Sequence, residues 1–273
     1  MQIQFPNMPE QFTRADSMIL DYISSNTEEF LFSSIGQLAK RLQVSEATIS
    51  RFVRHMGCRT YKELKQLVMR QSSFEGPAAK MAETLNEFTA ENWLRLQQNY
   101  LQKTLEGLNQ EEFRKAVAVI REAHRVFIHA KSASASLGQL LMFRLRRLGI
   151  ETILLPSGGS EVLEGLAQVR EDDLAVLFCF SKLSQEGKMI LGYQKEIGYR
   201  TLAFTSRSFV PEQERSDIQL FVYRGEAREY HSMTAAAAVV DALAVALTQD
   251  MGKESATRLS RLYHMKKKYA PER

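Results

Sequence analysis

The sequence predicts a small all-α head at the N-terminus, followed by an α/β domain whose five-stranded parallel sheet has helices on both faces. Two patterns indicate this division. Between residues 34 and 56, apolar side chains recur at the i, i+3, i+4, i+7 spacing of short amphipathic helices. From Arg125 onward, short apolar runs alternate with helical stretches, which is typical of βαβ units. The length of 273 residues also favours two domains, because a typical domain has about 150.

The composition is typical of a soluble globular protein. Hydrophobic residues make up 44% of the chain and charged residues 25%, which suffices for a buried core. No apolar run approaches the ~18 residues of a membrane span, and the start, MQIQFPNMPEQF, lacks the basic and apolar segments of a signal peptide. Cys58 and Cys179 lie far apart without a CxxC partner. We therefore expect a cytoplasmic protein with no disulfide, metal or cofactor.

The head begins with a helix that completes its small core. Thr13 is a candidate N-cap, and Met18, Ile19, Tyr22 and Ile23 turn one face inward.

Two short helices joined by a tight turn follow. Ser34 is the N-cap candidate of the first, with Gln37 placed to close a capping box. The second begins at Ser45 and is stopped by Gly57. Two amphipathic helices joined so tightly cross at a steep angle, which is the helix-turn-helix arrangement. Their apolar faces are Ile35, Leu38, Ala39 and Leu42 in the first helix, and Ile49, Phe52, Val53 and Met56 in the second.

The outer face of the second helix has the order of side chains that a DNA-reading helix needs. Small polar groups lie near its start and cations lie further on, where they would meet bases and phosphates respectively. A third helix has Thr60 as N-cap and Glu63 as its capping partner, and we expect Lys65 to be exposed on it. The predicted DNA-binding residues are Ser45, Glu46, Thr48, Ser50, Arg51, Arg54, Arg59 and Lys62.

Charge supports this interpretation. From Lys40 to Arg70 eight Lys or Arg stand against two Glu, a local balance of +6, whereas the whole chain has +4. The alternative is an ordinary helical hairpin with a solvated basic face.

The segment SSFEGP, residues 72–77, separates the head from the rest of the chain. Beyond it, apolar residues recur at helical spacing without a proline, which predicts one long connecting helix. The predicted domains are a helix-turn-helix DNA-binding domain at 1–77, a linker helix at 78–108 and an effector-binding and dimerisation domain at 109–273.

The α/β domain contains five predicted strands that are apolar enough to be buried on both faces of a parallel sheet. Gly149 and Gly198 each end a helix directly before a strand, at a position that favours a left-handed residue. A helix from Ser232 to Asp250 closes the domain. The strands are VFIHA, ETILLP, LAVLFCF, RTLAFT and IQLFV.

Hydroxyl-rich loops follow the first and third strands. Residues 130–134 read AKSAS, and residues 181–184 read SKLS. In a parallel sheet ligands bind at the carboxyl ends of the strands, and a helix start favours a phosphate. The alternative is that Ser134 and Ser184 are only N-caps.

Residues 34–66, with VSEATISRFVRHMG followed by TYKELK, resemble the N-terminal domain of the RpiR family of bacterial transcriptional regulators. Members of this family join such a head to a sugar-isomerase (SIS) domain that binds phosphosugars. The resemblance therefore implies an α/β SIS domain, an operator DNA partner and a phosphosugar or related anionic sugar effector.

The resemblance also implies two ligand loops, G-x-G-x-S after the first strand and S-x-S-G-x-T after the third. Ser134 and Ser181 match. Ala130 and Ser132 stand in place of the two glycines of the first loop. In the second loop, the second Ser, the Gly and the Thr are replaced by Leu183, Ser184 and Glu186.

Each altered loop contains a lysine, Lys131 or Lys182, and we expect both ammonium groups to converge on one anion, with Glu186 turned outward or paired to one of them. The rival hypothesis is a vestigial pocket that the lysines fill. Glu229 and His231 precede the closing helix, near where SIS enzymes place acid and base groups. The predicted ligand-binding residues are Lys131, Ser132, Ser134, Ser181, Lys182, Ser184, Glu229 and His231.

We predict a sequence-specific transcriptional regulator and not an enzyme, because the sequence shows no GxSxG, P-loop or metal-ligand spacing and no catalytic residue is assigned. A homodimer or homotetramer is expected, since one head buries too little surface to select a genomic site. The alternative is a sugar-phosphate-binding or isomerase SIS protein with a degenerate head.

Overall fold

The computed structural model divides the chain into two compact units, which are described separately. One comprises residues 1–95 with 225–231, and the other comprises 96–224 with 232–273. The structure describes residues 4–7, 9, 12–71, 80–81, 88–226 and 229–270.

The first unit contains a five-helix head. Its helices are α1 (Arg14–Ser25), α2 (Thr27–Phe32), α3 (Ile35–Leu42), α4 (Glu46–His55) and α5 (Tyr61–Gln71). The N-caps predicted at Thr13, Ser34 and Ser45 are confirmed, and each side chain accepts a hydrogen bond from the third backbone N–H of its helix. Helix α2 was not predicted. Its six residues are too few for an apolar period to show in the sequence.

The core of the head lies between these helices. Gln43 adopts a left-handed conformation, with φ of 53°, and so makes the tight turn between α3 and α4. Of the inner face predicted for α1, Ile19 and Ile23 are fully buried, but Met18 is exposed, so that part of the prediction is wrong. The fully buried core side chains include Ile19, Ile23, Phe30, Leu38, Ile49, Phe52, Met56 and Leu64.

Lys65 is buried, although the sequence predicted an exposed cation. Its Nζ donates to the backbone carbonyl of Ser33 at 3.2 Å and lies 5.8 Å from the centre of the Tyr61 ring. This ammonium group therefore belongs to the interior of the head and not to its basic surface.

Helix α6 spans Ala90–Gly107, and the predicted continuous helix from 78 to 108 is wrong. Phe88 and Thr89 are not helical, and the Thr89 hydroxyl accepts a hydrogen bond from the Asn92 N–H at 3.0 Å. A capping threonine therefore begins a new helix here. The predicted boundary at residues 72–77 lies outside the described residues.

The second unit contains the predicted five-stranded parallel sheet, in the order β2-β1-β3-β4-β5. Strands β1 and β3 are neighbours, with His129 opposite Leu177 in the register. The strands are β1 (Val126–His129), β2 (Thr152–Leu154), β3 (Leu174–Phe178), β4 (Arg200–Thr205) and β5 (Ile218–Phe221). The helices are α7 (Gln110–Glu122), α8 (Ala135–Arg147), α9 (Glu161–Leu166), α10 (Gln185–Ile197), α11 (Thr234–Met251) and α12 (Lys253–Tyr269).

Alternate residues of the strands enter two separate cores. Ile128, Val176 and Leu202 pack on one face, together with residues of α7, α8 and α11. Ala175 and Leu177 pack on the other face with residues of α9 and α10. Since both faces are covered, every side chain of β1 and β3 is buried, which explains their unbroken apolar runs.

Helix α11 is long and apolar enough to cross a membrane by length and composition alone. The search of the sequence for uninterrupted apolar runs did not single out this helix, because Asp241 divides its apolar residues. The helix owes its apolarity to the core, because Ala236, Val240, Leu243 and Leu247 are completely buried against the sheet domain.

Candidate functional sites

The outer surface of α4 is the first candidate site. Ile49, Phe52 and Val53 are buried, which leaves the other faces of this helix to solvent. Of the residues predicted to bind DNA, Thr48 and Ser50 are half-buried, and the others are exposed: Ser45, Glu46, Arg51, Arg54, Arg59 and Lys62.

The start of α4 holds a small cluster of polar side chains. The Ser45 hydroxyl accepts from the Thr48 N–H at 3.1 Å and lies 2.9 Å from the Thr48 hydroxyl. Arg51 Nη2 donates to that same Thr48 hydroxyl at 3.4 Å. Ser45 therefore acts as a cap, and the cluster orients the guanidinium of Arg51 on the exposed face.

Glu46 lies against the neighbouring helix α3. A Cβ atom added at Gly36 would lie 2.7 Å from Glu46 Oε1. The carboxylate is thus close to the first turn of α3, where the positive end of the helix dipole attracts it.

His55 connects α4 to α1, a contact that the sequence analysis missed. Its Nδ1 lies 3.2 Å from Oδ2 of the buried Asp16, the residue that also closes the cap on Thr13. Burial opposes ionisation of Asp16, but hydrogen bonds from Thr13 and His55 outweigh it and lower the pKa of that carboxyl. No sequence pattern indicates this pair, because the two residues are 39 positions apart.

The second candidate site lies where β1 and β3 end. Because the sheet order is β2-β1-β3-β4-β5, the chain leaves β1 in one direction and later returns to its other side. The loops after β1 and β3 therefore meet at the point where strand order reverses, which is the usual ligand position in such sheets.

In the loop after β1, a serine adopts a backbone conformation that glycine adopts more easily. Ser132 has a φ of 55°, in the left-handed region. Ser134 Oγ accepts from the Lys131 N–H at 3.1 Å and donates to the Lys131 carbonyl at 2.8 Å. Its hydroxyl therefore closes its own turn. Ser134 occupies the N-cap position of α8, but its side chain makes no capping hydrogen bond to that helix.

The loop after β3 has one side chain in the core and others on the surface. Leu183 is buried against Gly187, whereas Ser181 and Lys182 are exposed. Ser184 is the N-cap of α10, since its Oγ accepts from the Gly187 N–H at 3.0 Å, as the alternative for this serine predicted.

Lys131 and Glu186 link the two loops. Lys131 Nζ donates to Glu186 Oε1 at 2.8 Å. This hydrogen bond is the main reason that the pKa of Glu186 falls to about 2. Of the two placements expected for Glu186, pairing with a lysine is the one that the structure shows, while convergence of both lysines on one anion stays a prediction.

Two features of this edge were missed from the sequence. Gly158, in the SGGS loop after β2, lies over the ion pair, and an added Cβ would lie 3.1 Å from Glu186 Oε1. The glycine pair in that loop was the available signal.

His129, at the end of β1, is the other missed residue. It is buried, and its Nε2 lies 3.3 Å from Ser184 Oγ. Burial lowers the pKa of His129, so its imidazole is neutral at pH 7. A histidine at the end of an apolar strand was the available signal.

Two buried atoms at this edge have no hydrogen-bond partner among the described residues: His129 Nδ1 and Glu186 Oε2. Since buried polar atoms in proteins are normally paired, these two atoms single out this edge as a candidate ligand site.

Glu229 and His231 belong to the other compact unit. Glu229 Oε2 accepts from the Glu226 N–H at 2.8 Å, and His231 Nε2 lies 3.1 Å from the Glu226 carbonyl and 3.3 Å from Lys80 Nζ. These contacts describe a local turn, and a ligand role for the two residues stays a prediction.

Comparison with known proteins matches both halves of the chain. Residues 1–74 match the helix-turn-helix domain of the rpiR family, and residues 119–246 match the SIS domain. An uncharacterized HTH-type transcriptional regulator of Clostridium perfringens is 23% identical over 223 residues, which cover 80% of this chain and 79% of that protein.

Two solved structures show the same fold. The sugar isomerase domain of the RpiR transcription factor from Sphaerobacter thermophilus has a TM-score of 0.59 and 24% identity, covering 64% of this chain and 97% of that one. The Vibrio vulnificus NanR protein complexed with ManNAc-6P has a TM-score of 0.60 and 20% identity, covering 96% of each chain.

Proposed function

This chain belongs to the RpiR family of HTH-type transcriptional regulators, and from that premise we propose that its SIS domain senses a phosphosugar or a related anionic sugar metabolite. Occupancy of the SIS domain would change the affinity of the head for operator DNA. The proposal rests on one observation: the loops after β1 and β3 meet where the strand order reverses. Among the described residues, two buried polar atoms at this point have no hydrogen-bond partner.

The proposed DNA interface is the exposed face of α4 with the start of α5. Arg51, with Thr48 and Ser50, would read base edges, since an arginine presents two parallel donors to guanine. Arg54, Arg59 and Lys62 would bind phosphates. Their exposure and the orientation of Arg51 by Thr48 support these roles.

The ligand residues that we propose at the edge of the sheet come from the loops after β1 and β3. Ser132 keeps the left-handed conformation that a glycine would adopt at this position, and the α10 N-terminus favours an anion. Support for an anionic sugar also comes from a structural neighbour, the NanR protein complexed with ManNAc-6P. The proposed set in the two loops is Lys131, Ser132, Ser134, Ser181, Lys182 and Ser184. Glu229 and His231 are proposed separately as ligand residues of the other compact unit.

We propose that the domain binds its ligand without converting it. Aldose–ketose interconversion needs an acid and a base that are available to the substrate. Glu186 is held by Lys131, and Glu229 and His231 both contact the Glu226 backbone, which supports a non-catalytic site.

The working form that we propose is a cytoplasmic homodimer or homotetramer, with a DNA-binding domain at 1–77, a linker at 78–108 and the SIS domain at 109–273. Val245 on α11, with 68% of its surface exposed, and the exposed Phe143 on α8 are the apolar groups that support self-association through the SIS domain.

The test begins with selection of duplex DNA from a random pool by the full chain. The selected and a shuffled duplex are then compared by fluorescence anisotropy, with and without a panel of hexose and pentose phosphates that includes ManNAc-6P, and with inorganic phosphate alone. We expect preference for the selected duplex and its release by at least one phosphosugar. Equal affinity for both duplexes would overturn the assignment of a sequence-specific regulator.

A further inference from the structure

Arg224 is a buried guanidinium near the carboxyl end of the sheet. It follows β5, and only 7% of its surface is exposed. Its Cζ lies 3.8 Å from the centre of the Phe180 ring, which follows β3. Such a stack on an aromatic face fixes the plane of the guanidinium and leaves the donors at its edge for an oxyanion.

This cation has no carboxylate partner among the described residues. None of the ion pairs between described residues includes it, its buried Nε has no hydrogen-bond partner, and its Nη1 contacts the sulfur of Met233 at 3.4 Å. Burial lowers the pKa of Arg224 to about 10, so it is still charged at pH 7. A charge that is buried without a partner is costly, and proteins normally avoid this.

Arg125 shows the ordinary arrangement in the same domain. It precedes β1, and its Nη2 lies 2.7 Å from Oδ2 of the fully buried Asp173. The largely buried guanidinium of Arg125 is therefore neutralised by a carboxylate, as expected for a charge with a structural role. Arg224 lacks this neutralisation among the described residues.

A second source of positive potential lies beside Arg224. Met233 is the N-cap of the 18-residue helix α11, and its side chain makes no capping hydrogen bond. Ala235 and Ala236, in the first turn of this helix, are buried, whereas Thr234 is exposed and its N–H donates to Ser232 Oγ at 3.2 Å. The positive end of the helix dipole lies at this turn. A guanidinium and a helix N-terminus thus meet at Met233.

We propose that Arg224 and the N-terminus of α11 form a binding site for an anionic group, a phosphate monoester or a carboxylate. Lys131 is already paired with Glu186, whereas Arg224 is a buried cation without a carboxylate partner among the described residues, and a ligand can neutralise it. Assigning the anion to the effector of the SIS domain rests on the proposed function, whereas anion binding itself does not.

The experiment measures thermal unfolding of the full chain in increasing inorganic phosphate, with chloride at matched ionic strength as reference. Arg224→Met is compared with Arg200→Met, an exposed arginine at the start of β4. We expect phosphate to raise the Tm of the wild type and of Arg200→Met. In Arg224→Met, apparent phosphate affinity should fall by about 10- to 100-fold, as expected for loss of a charge-assisted contact. Equal phosphate responses of Arg224→Met and the wild type would overturn the proposal.

The phosphate-free Tm is a second readout. Because Arg224 is a buried charge without a counter-ion, Arg224→Met should raise this Tm. Arg125→Met should lower it, because the buried Asp173 carboxylate loses its counter-ion. If Arg224→Met does not fold, Arg224→Lys keeps the charge without the planar fork and should bind phosphate with intermediate affinity. A lysine variant that responds to phosphate like the wild type overturns the role of the guanidinium.

Failure of this proposal is distinguishable from failure of the proposed function. If a phosphosugar releases DNA equally from the wild type and from Arg224→Met, sensing stands and the assignment of the effector's anionic group to Arg224 is wrong. If no phosphosugar releases DNA from the wild type while phosphate stabilisation still depends on Arg224, the anion site stands and sensing is wrong.

Discussion

Lys131 and Glu186 form a 2.8 Å ion pair that joins the loop after β1 to the first turn of α10. A carboxylate of the protein is thus bound at the edge where a phosphate was expected. The pair neutralises the lysine and adds a contact between two loops that meet at the reversal of strand order.

Removal of the Glu186 charge should strengthen binding of an anionic effector. Glu186→Gln keeps the size of the side chain and an oxygen acceptor but leaves the Lys131 ammonium unpaired, and we expect roughly tenfold higher affinity for a phosphosugar that binds the wild type. Isothermal titration calorimetry measures this directly. Glu196→Gln, an exposed glutamate on the same helix, is the matched control and should bind as the wild type does. Unchanged or weaker binding by Glu186→Gln would contradict the idea that its carboxylate competes with the ligand.

The same ion pair predicts a pH dependence of stability. The folded-state pKa of Glu186 is about 2, below the ordinary value of 4.5. A group with a lowered pKa contributes stability above its unfolded pKa, and this contribution disappears as the pH falls from about 4.5 toward 2. Lys131→Met should lower the free energy of unfolding by about 1 kcal/mol at pH 7, a modest value because the lysine is half-exposed.

Urea unfolding of this variant and of the wild type at several pH values tests the expectation. The difference between the two proteins should shrink below about pH 4, where the carboxylate becomes protonated in the unfolded chain while it is still ionised in the folded wild type. A difference that is constant from pH 7 to pH 3 would show that Lys131 stabilises the loop by packing and not through the charge of Glu186.

In the head, substitution of a base-reading residue and substitution of a phosphate-binding residue should change DNA binding in different ways. Arg51→Ala should weaken binding to the selected duplex by about 1–3 kcal/mol and reduce the preference for it over random DNA. Lys62→Ala should weaken binding to both DNAs alike and reduce the salt dependence. Salt titrations on both DNAs measure these quantities, and identical behaviour of the two variants would refute the assignment.

Lys65 provides the control for the effect of Lys62→Ala on the salt dependence of DNA binding. Its ammonium group is inside the head and donates to the Ser33 carbonyl. Lys65→Met should therefore leave the salt slope of DNA binding unchanged, while it lowers the free energy of unfolding by about 1 kcal/mol through the lost hydrogen bond. A salt slope reduced as in Lys62→Ala would place Lys65 at the DNA surface.

Self-association should depend on α11. Val245→Glu places a charge at the most exposed apolar position of this helix and should shift the full chain toward monomer at micromolar concentration, because a buried charge in an interface is unfavourable. Analytical ultracentrifugation reports the change. Gln249→Glu, one turn later on the same helix, is a control for added charge. If Val245→Glu sediments as the wild type does, the self-association contact lies on another surface.

The sequence by itself determined the elements that depend on local patterns. Apolar spacing and caps located α3 and α4, and the caps at Thr13, Ser34 and Ser45 are local hydrogen bonds between residues three positions apart. The five apolar runs correspond to the five strands, because a strand covered on both faces has to be apolar throughout. Phe88 and Thr89 show the limit of this reasoning. The apolar spacing runs past Thr89 and so predicted one continuous helix. The Thr89 hydroxyl instead caps the Asn92 N–H and begins a new helix.

Only the tertiary structure decided which charges are available to act. Lys65, Lys131 and Arg224 look alike in the sequence, yet the first donates to a buried carbonyl, the second is paired with Glu186 and the third lies on Phe180 without a carboxylate partner among the described residues. The reason is physical: burial and the distance to an opposite charge determine what a cation contributes. Residues 55 positions apart, such as Lys131 and Glu186, come together only when the sheet order brings β1 beside β3.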